Sequence, residues 1–296
     1  MYQTYTKNGY TVMHYQFYSL EEYISFLAEN PIRIDIFKDP RSISTNLETQ
    51  TNSLQEAMDL CKYGNTQGYH TLIKLKRQLE RHIKMTFAQN KQYNDYIGYA
   101  PDVKAYLEGN PLSMLNKKNI PKKKVTIYLN STYCSNDQTS AIFNRGAIVL
   151  TLIEMLENLG YIVDFHLFIM AEQEKQLLFS EFFLKKETER INPQKLYFPL
   201  CHPSWIRRLF FRLIEATKDV TSKWANDYGS QSKIWTLKEI IEPKPNDIII
   251  PTIGELNIYG YDIINDANSL LDYLKLSSNK EFGLERIKKN NKKINI

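Results

Sequence analysis

The sequence predicts an α/β fold, a three-layer arrangement of a sheet between helices, with an N-terminal α+β elaboration. Three observations carry this. Val125, Ile127 and Leu129 alternate with Thr126 and Tyr128, the period-two pattern of a buried strand. Ile142, Ile148, Val149, Leu152, Ile153, Met155 and Leu156 then form one wide apolar helix face. Tyr161 to Phe168 reads as a second strand, so the run closes as a parallel strand–helix–strand unit.

Taken in order, residues 11–17 alternate and predict a strand. Ser19-Leu20-Glu21-Glu22 opens a short helix with Ser19 as N-cap, and Asn30-Pro31 stops it. Ile32, Ile34 and Ile36 alternate as another strand, and residues 39–52 form a polar loop. Ser53-Leu54-Gln55-Glu56 opens a helix over residues 54–63, which residues 64–68 break. Residues 71–88 predict a strong helix with Leu72, Leu75, Leu79, Ile83 and Phe87 on one face and Lys74, Lys76, Arg77, Arg81 and Lys84 on the other.

Residues 90–116 are loop-rich. Within them residues 101–107 form a short helix, ended by Gly109-Asn110-Pro111, that reads either as a docking segment or as a linker packed on the core. Lys117 to Lys124 is a basic lead-in to the first core strand. The loop from Asn130 to Asp137 is turn and capping chemistry, with Thr139 or Ser140 as the cap of the helix that follows. Gly146 permits a close approach of that helix to the sheet, and Gly160 ends it.

Farther on, residues 171–181 read as helix or loop, residues 182–186 and 196–200 as strands, and residues 205–217 as a helix. In that helix Arg207, Arg208 and Arg212 face outward. Ile248-Ile249-Ile250 is a late strand of the same sheet, and residues 266–276 are a last helix capped by Asp266. The organisation is an N-terminal α+β region over 1–116, an α/β core over 117–279 and an exposed basic tail over 280–296.

Bulk composition narrows the classes. Hydrophobic content of 43% and charged content of 24% are ordinary for a globular chain. Twenty tyrosines suit contact surfaces, because tyrosine brings both area and a hydroxyl; a low-GC codon bias explains them equally well. A net charge of +5 permits nucleic-acid binding without arguing for it. The three cysteines, Cys61, Cys134 and Cys201, form no CxxC pair, which places the chain in a reducing cytoplasm. No apolar run approaches the length of a membrane span, and the first residues lack a signal-peptide pattern.

Recognised reaction motifs are missing from the sequence. There is no Walker A loop, no GxGxxG after a strand, no GxSxG elbow and no zinc spacing among His14, His70, His82, His166 and His202. Cys201 beside His202 reads as a buried small residue and a cap before Pro203, since adjacent side chains diverge. His166 lies within a strand and reads as structural. Asp137, Asp164 and Asp247 do not fall at one sheet edge.

The run from Val125 to Phe168 resembles a von Willebrand A-type domain, a Rossmann-like core whose first strand ends in a metal-binding Asp-x-Ser-x-Ser motif. Here Asn130 stands in the Asp place, Thr132 in the first Ser place and Cys134 in the second. The charged oxygen ligand is gone, and a thiol suits Mg²⁺ poorly, so Mg²⁺ is disfavoured and no cofactor is expected. The same run, with Asn130, Ser131, Arg145-Gly146-Ala147 and Gly160-Tyr161, is also similar to an uncharacterised family encoded by phages and mobile elements. That likeness extends to residues 53–57 and 109–111 and implies a viral accessory role, in the host cytoplasm.

The functional expectation is a non-enzymatic binding protein whose partner is another protein, a second copy of itself, or both. The contact candidates are Asn130, Ser131, Thr132, Tyr133, Asn136 and Asp137, at the carboxyl edge where α/β sheets place their sites. Two alternatives stand beside it. One is nucleic-acid binding through Lys117, Lys118, Lys122, Lys123 and Lys124 with Lys76, Arg77 and Arg81. The other is a metal-dependent module or unfamiliar enzyme using Ser131, Thr132 and Asp137.

Overall fold

The structure, a computed structural model, describes residues 1–30, 49–82, 92–117, 123–134, 137–186, 188–189, 191–220, 224, 230–231 and 240–274. The strand expected at Ile32–Ile36, the helix beyond residue 82, Lys118, Lys122, Asn136 and the tail 280–296 lie outside these residues.

The architecture is three-layer α/β. Its centre is a mixed sheet of β1 (Tyr2–Lys7), β2 (Tyr10–Phe17), β8 (Gln176–Lys185), β7 (Ile162–Gln173), β6 (Lys124–Asn130) and β10 (Ile248–Ile250), in that spatial order. A short β9 (Ser230–Gln231) pairs farther along β7. The core strands β7, β6 and β10 are parallel, as the strand–helix–strand reading requires. β8 runs antiparallel to β7, and β2 runs parallel to β8. Thus the N-terminal strands extend the central sheet as its far edge.

Side-chain alternation divides the core between the two faces of this sheet. Val125, Ile127 and Leu129 of β6 share one cluster with Val163, Phe165 and Leu167 of β7, and the main helices cover that face. Each of those fully buried side chains contributes about 1.5–3 kcal/mol by leaving water. Phe168, Met170, Leu177, Phe179 and Val12 point the other way, against Ile240 and Ile241.

The helices of the first layer are α1 (Leu20–Glu29), α2 (Leu54–Tyr63), α3 (Thr66–Glu80), α5 (Thr139–Asn158), α6 (Pro193–Cys201), α7 (Phe211–Ala216) and α9 (Ile263–Tyr273). α5 is the central one. It is the one helix among the described residues long and apolar enough to cross a membrane, and burial in the core accounts for that apolarity. A short α8 (Ile253–Leu256) follows β10, its N-cap Thr252 forming a capping box with Glu255.

Several expectations are corrected. β1 joins β2 through Asn8-Gly9, both at positive φ, the backbone a two-residue hairpin requires. Residues 171–181 are strand: β7 runs on to Gln173, and Glu174 at φ +55° turns the chain into β8. Residues 196–200 are helix, because Asn192 Oδ1 accepts from the Gln194 and Lys195 amides and Pro193 stands at the first turn. α3 starts early, at Thr66, with Asn65 as its cap.

Residues 205–210 form a π-helical turn before α7. Arg212 turns inward to the carbonyls of Asn30 and Leu27, closing the end of α1. Arg208 binds Thr51 Oγ1 at 2.6 Å. Gln138, without a side-chain cap bond, precedes α5 in place of a Thr139 or Ser140 cap. Asp262 caps α9, and Asp266 is buried inside it, accepting from Asn144 Nδ2 at 2.8 Å.

Residues 92–117 build a separate small module. β3 (Gln92–Asp95), β5 (Met114–Lys117) and β4 (Ala100–Pro101) make an antiparallel sheet, with α4 (Val103–Leu107) after β4. The expected short helix is therefore present, and the loops around it are strands.

Candidate functional site

The carboxyl end of β6 is where the sequence places a site. There Asn130 and Ser131 are fully buried, and Thr132 and Tyr133 nearly so. Their polar atoms are turned to neighbours within the chain. Arg145, one face of α5, donates from its two terminal nitrogens to the carbonyls of Asn130 at 2.9 Å and Ser131 at 3.1 Å. Ser131 Oγ donates to the Phe168 carbonyl and accepts from Trp205 Nε1 at 3.2 Å. The Thr132 amide donates to Asn130 Oδ1 at 3.0 Å, an Asx-type turn. Tyr133 donates its hydroxyl to the Pro203 carbonyl.

This is a latch that ties β6 to β7, α5 and the segment around Pro203. Burial lowers the Arg145 guanidinium to about 10 and pushes the Tyr133 phenol well up. Arg145 Nε and Asn130 Nδ2 are left without acceptors, so the latch carries a cost of about 1–3 kcal/mol for each such group. The buried cation stands on carbonyls at the edge where a metal motif would gather anionic oxygens.

Among the described loop residues, Cys134 and Asp137 reach the surface. Cys134 is exposed, and its thiol is pushed up by partial burial and the Asp137 carboxylate. Asp137 Oδ2 accepts from the Cys134 amide at 2.6 Å, closing the loop on itself. Asp164 and Asp247 are engaged elsewhere, Asp164 with Lys124 at 2.8 Å and Asp247 with the Lys244 amide. Among the described residues no group of three His, Cys, Asp or Glu side chains could hold a metal ion.

Asn130, Ser131, Thr132 and Tyr133, expected at a contact surface, are thus buried within this chain. The sequence held a partial signal: Arg145 lies beside the apolar face of α5, and a cation there needs acceptors nearby, though the sequence does not name them.

The Cys/His pair is likewise closed. Cys201 is fully buried and burial pushes its thiol up. His202 is lowered to about 4 by burial, stacks on Phe198 and accepts from the Ser204 amide. His166 is held by Glu181, Nδ1 to Oε1 at 2.9 Å, on the second face of the sheet.

The basic candidates are dispersed. Lys76 is committed to Glu154 at 2.7 Å and Glu80 at 2.8 Å. Arg77 and Arg81 on α3 are exposed, as are Lys123 and Lys124 at the start of β6. Lys117 closes β5.

The small module offers what the loop does not. In α4, Val103, Tyr106 and Leu107 stand at i, i+3 and i+4, which is one face of a helix. Such an apolar face normally packs inward; here Ala105 is the inward residue and this face meets solvent. Tyr96, Ile97 and Tyr99 on the preceding turn are exposed too, Ile97 at 80% and Leu107 at 78%.

That turn is firmly placed. The Tyr99 amide donates to the Leu115 carbonyl at 3.0 Å, and Asn116 Nδ2 donates to the Ile97 carbonyl at 3.1 Å. Gly98 passes so close over the Leu115 carbonyl that a Cβ there would overlap it. Asp102 caps α4 through the Ala105 amide.

No curated protein and no solved structure matches the chain. A family profile does, over residues 3–278, nearly the whole length, and takes in the sheet, its helices and the small module alike. The chain belongs to the family described as Domain of unknown function (DUF7192).

Proposed function

We propose that this chain is a non-enzymatic protein-binding or self-assembling accessory protein, and that its contact surface is the apolar face of the 92–117 module. The observation that carries this reading is the outward α4 face of Val103, Tyr106 and Leu107, with Tyr96, Ile97 and Tyr99 exposed in the same small module. Exposed apolar groups clustered in one place mark interaction sites, whereas scattered ones do not. Tyrosine is favoured at such surfaces because it covers area with little entropy lost. The latch at the end of β6 then serves as scaffold.

The core is read as von Willebrand A-like. The parallel β7–β6–β10 order, with α5 between β6 and β7, supports that likeness. A phage-type accessory role in the host cytoplasm, directed at a host or viral complex, rests on the sequence resemblance around Asn130 and Arg145.

The test is affinity purification with the full chain and with Leu107→Glu, an exposed substitution that leaves the core untouched. The reading expects proteins retained by the wild type, this chain included, and lost by the variant. Identical retention by both would reject it.

A further inference from the structure

The apolar face of the module needs an occupant, and we infer that it is a second copy of this chain, paired through a two-fold isologous contact. This rests on the contact-surface reading above and names its partner.

Three observations converge. The first is area. Three tyrosines at roughly 150–250 Å² each when covered, with three aliphatic side chains, scaled by their exposure, offer on the order of 800 Å². A stable pairwise interface needs about 800 Å² from each partner.

The second is charge. The chain carries +5, but within residues 92–117 Asp95, Asp102 and Glu108 stand against Lys104 and Lys117. The module is thus nearly neutral, and the basic excess lies elsewhere. Two copies meeting here therefore face little like-charge repulsion.

The third is self-complementarity. In a two-fold contact, residue i meets j and j meets i. Antiparallel packing of α4 on α4 sets Val103 against Leu107, with Tyr106 near the axis. The same packing brings Lys104 of each copy toward Glu108 of the other. Within one copy these two lie 3.9 Å apart and largely exposed, a weak pair that is free to exchange. The pinned turn at Gly98 keeps the tyrosines preorganised, which lowers the entropy cost of association.

The test is sedimentation velocity on the full chain from about 1 to about 100 µM, the range that reads a micromolar Kd. The expected result is a concentration-dependent rise toward twice 34.8 kDa. Leu107→Glu and Tyr106→Ser each raise Kd at least about tenfold, with a melting curve that matches the wild type at protein concentrations below Kd. Tyr63→Ser, exposed but outside the module, leaves Kd unchanged. Glu108→Lys weakens the pair, and Lys104→Glu with Glu108→Lys restores it.

A monomer throughout that range, or a dimer indifferent to Leu107→Glu, overturns the inference. If the wild type is monomeric yet retains proteins that Leu107→Glu loses, the dimer falls and the contact surface stands. If Leu107→Glu changes neither readout, both fall.

Discussion

Gly146→Ala should destabilise the fold, although alanine is the better helix former. Gly146 lies mid-way along α5, where α5 crosses α6. A Cβ built there would stand 2.3 Å from Cys201 Sγ and 3.3 Å from Leu200 Cβ. Carbon and sulfur need well over 3 Å, so one helix must move by roughly 1 Å. Cys201 and Leu200 are both buried, and overpacking of this kind costs about 1–3 kcal/mol. The helix propensity gained, about 1 kcal/mol, offsets part of it.

Movement of α5 would also drag Arg145 off the Asn130 and Ser131 carbonyls, so the upper part of the range applies. The net expectation is a loss of about 2 kcal/mol, or roughly 4–8 °C in Tm. Cys201→Ala alone costs about 1 kcal/mol for a small cavity. In the Gly146→Ala background the same change removes the clashing sulfur and becomes neutral or stabilising. Urea unfolding of all four forms gives the coupling, expected above about 1 kcal/mol. Strict additivity would refute the claim that helix-to-helix contact sets this glycine.

The other predictions concern the latch, acid stability and ligands. Tyr133→Phe removes a buried donor from the Pro203 carbonyl and should cost about 1–2 kcal/mol in urea unfolding, with no effect on self-association; a stability unchanged within error would contradict the latch. His202 sits near 4 in the fold against 6.5 when free, so the unfolded chain takes up its proton first and stability falls as pH drops from about 6.5 to about 4.

Burial pushes Glu181 up, but its contacts with His14, His166 and Gln16 outweigh that and hold it near 2, so its contribution is lost from about 4.5 downward. Phe in place of His202 and Gln in place of Glu181 should flatten the upper and lower windows respectively, as read by melting against pH. Millimolar Mg²⁺ should leave Tm unchanged, and a rise would revive the metal reading of the β6 loop. Lys76→Ala should lower Tm through the lost Glu154 pair while leaving any low-salt gel shift unmoved; a weakened shift would favour the nucleic-acid alternative.

The core was legible where the pattern was local. The alternation at Val125–Leu129 and the apolar face of α5 translate directly into β6 and α5. The parallel partner β10 also followed, because a short isoleucine run has few other places to go. The second face of the sheet was harder. β7 and β8 are buried on both faces, so Ile169, Met170, Leu177 and Leu178 show no alternation to read. The Asn8-Gly9 hairpin and its first strand went unread, although the turn chemistry stands in the sequence.

The site was less legible than the fold, for a physical reason. A polar loop at a strand end looks the same whether its hydroxyls face solvent or bind neighbouring carbonyls. What distinguishes them is the distant partner, here Arg145, Trp205 and Pro203, and sequence does not reveal which residues meet across the fold. The same holds for the module. The i, i+3, i+4 spacing of Val103, Tyr106 and Leu107 announces an apolar helix face. It does not say that the face is turned to solvent.

The central claim is that this outward face, rather than the latched loop, is where the protein meets its partner. The most direct measurement is the mass of the full chain in solution, wild type beside Leu107→Glu. The account predicts a reversible dimer for the wild type and a monomer for the variant, with the same melting curve for both below the dimer's Kd. A dimer of equal strength in both proteins would contradict it.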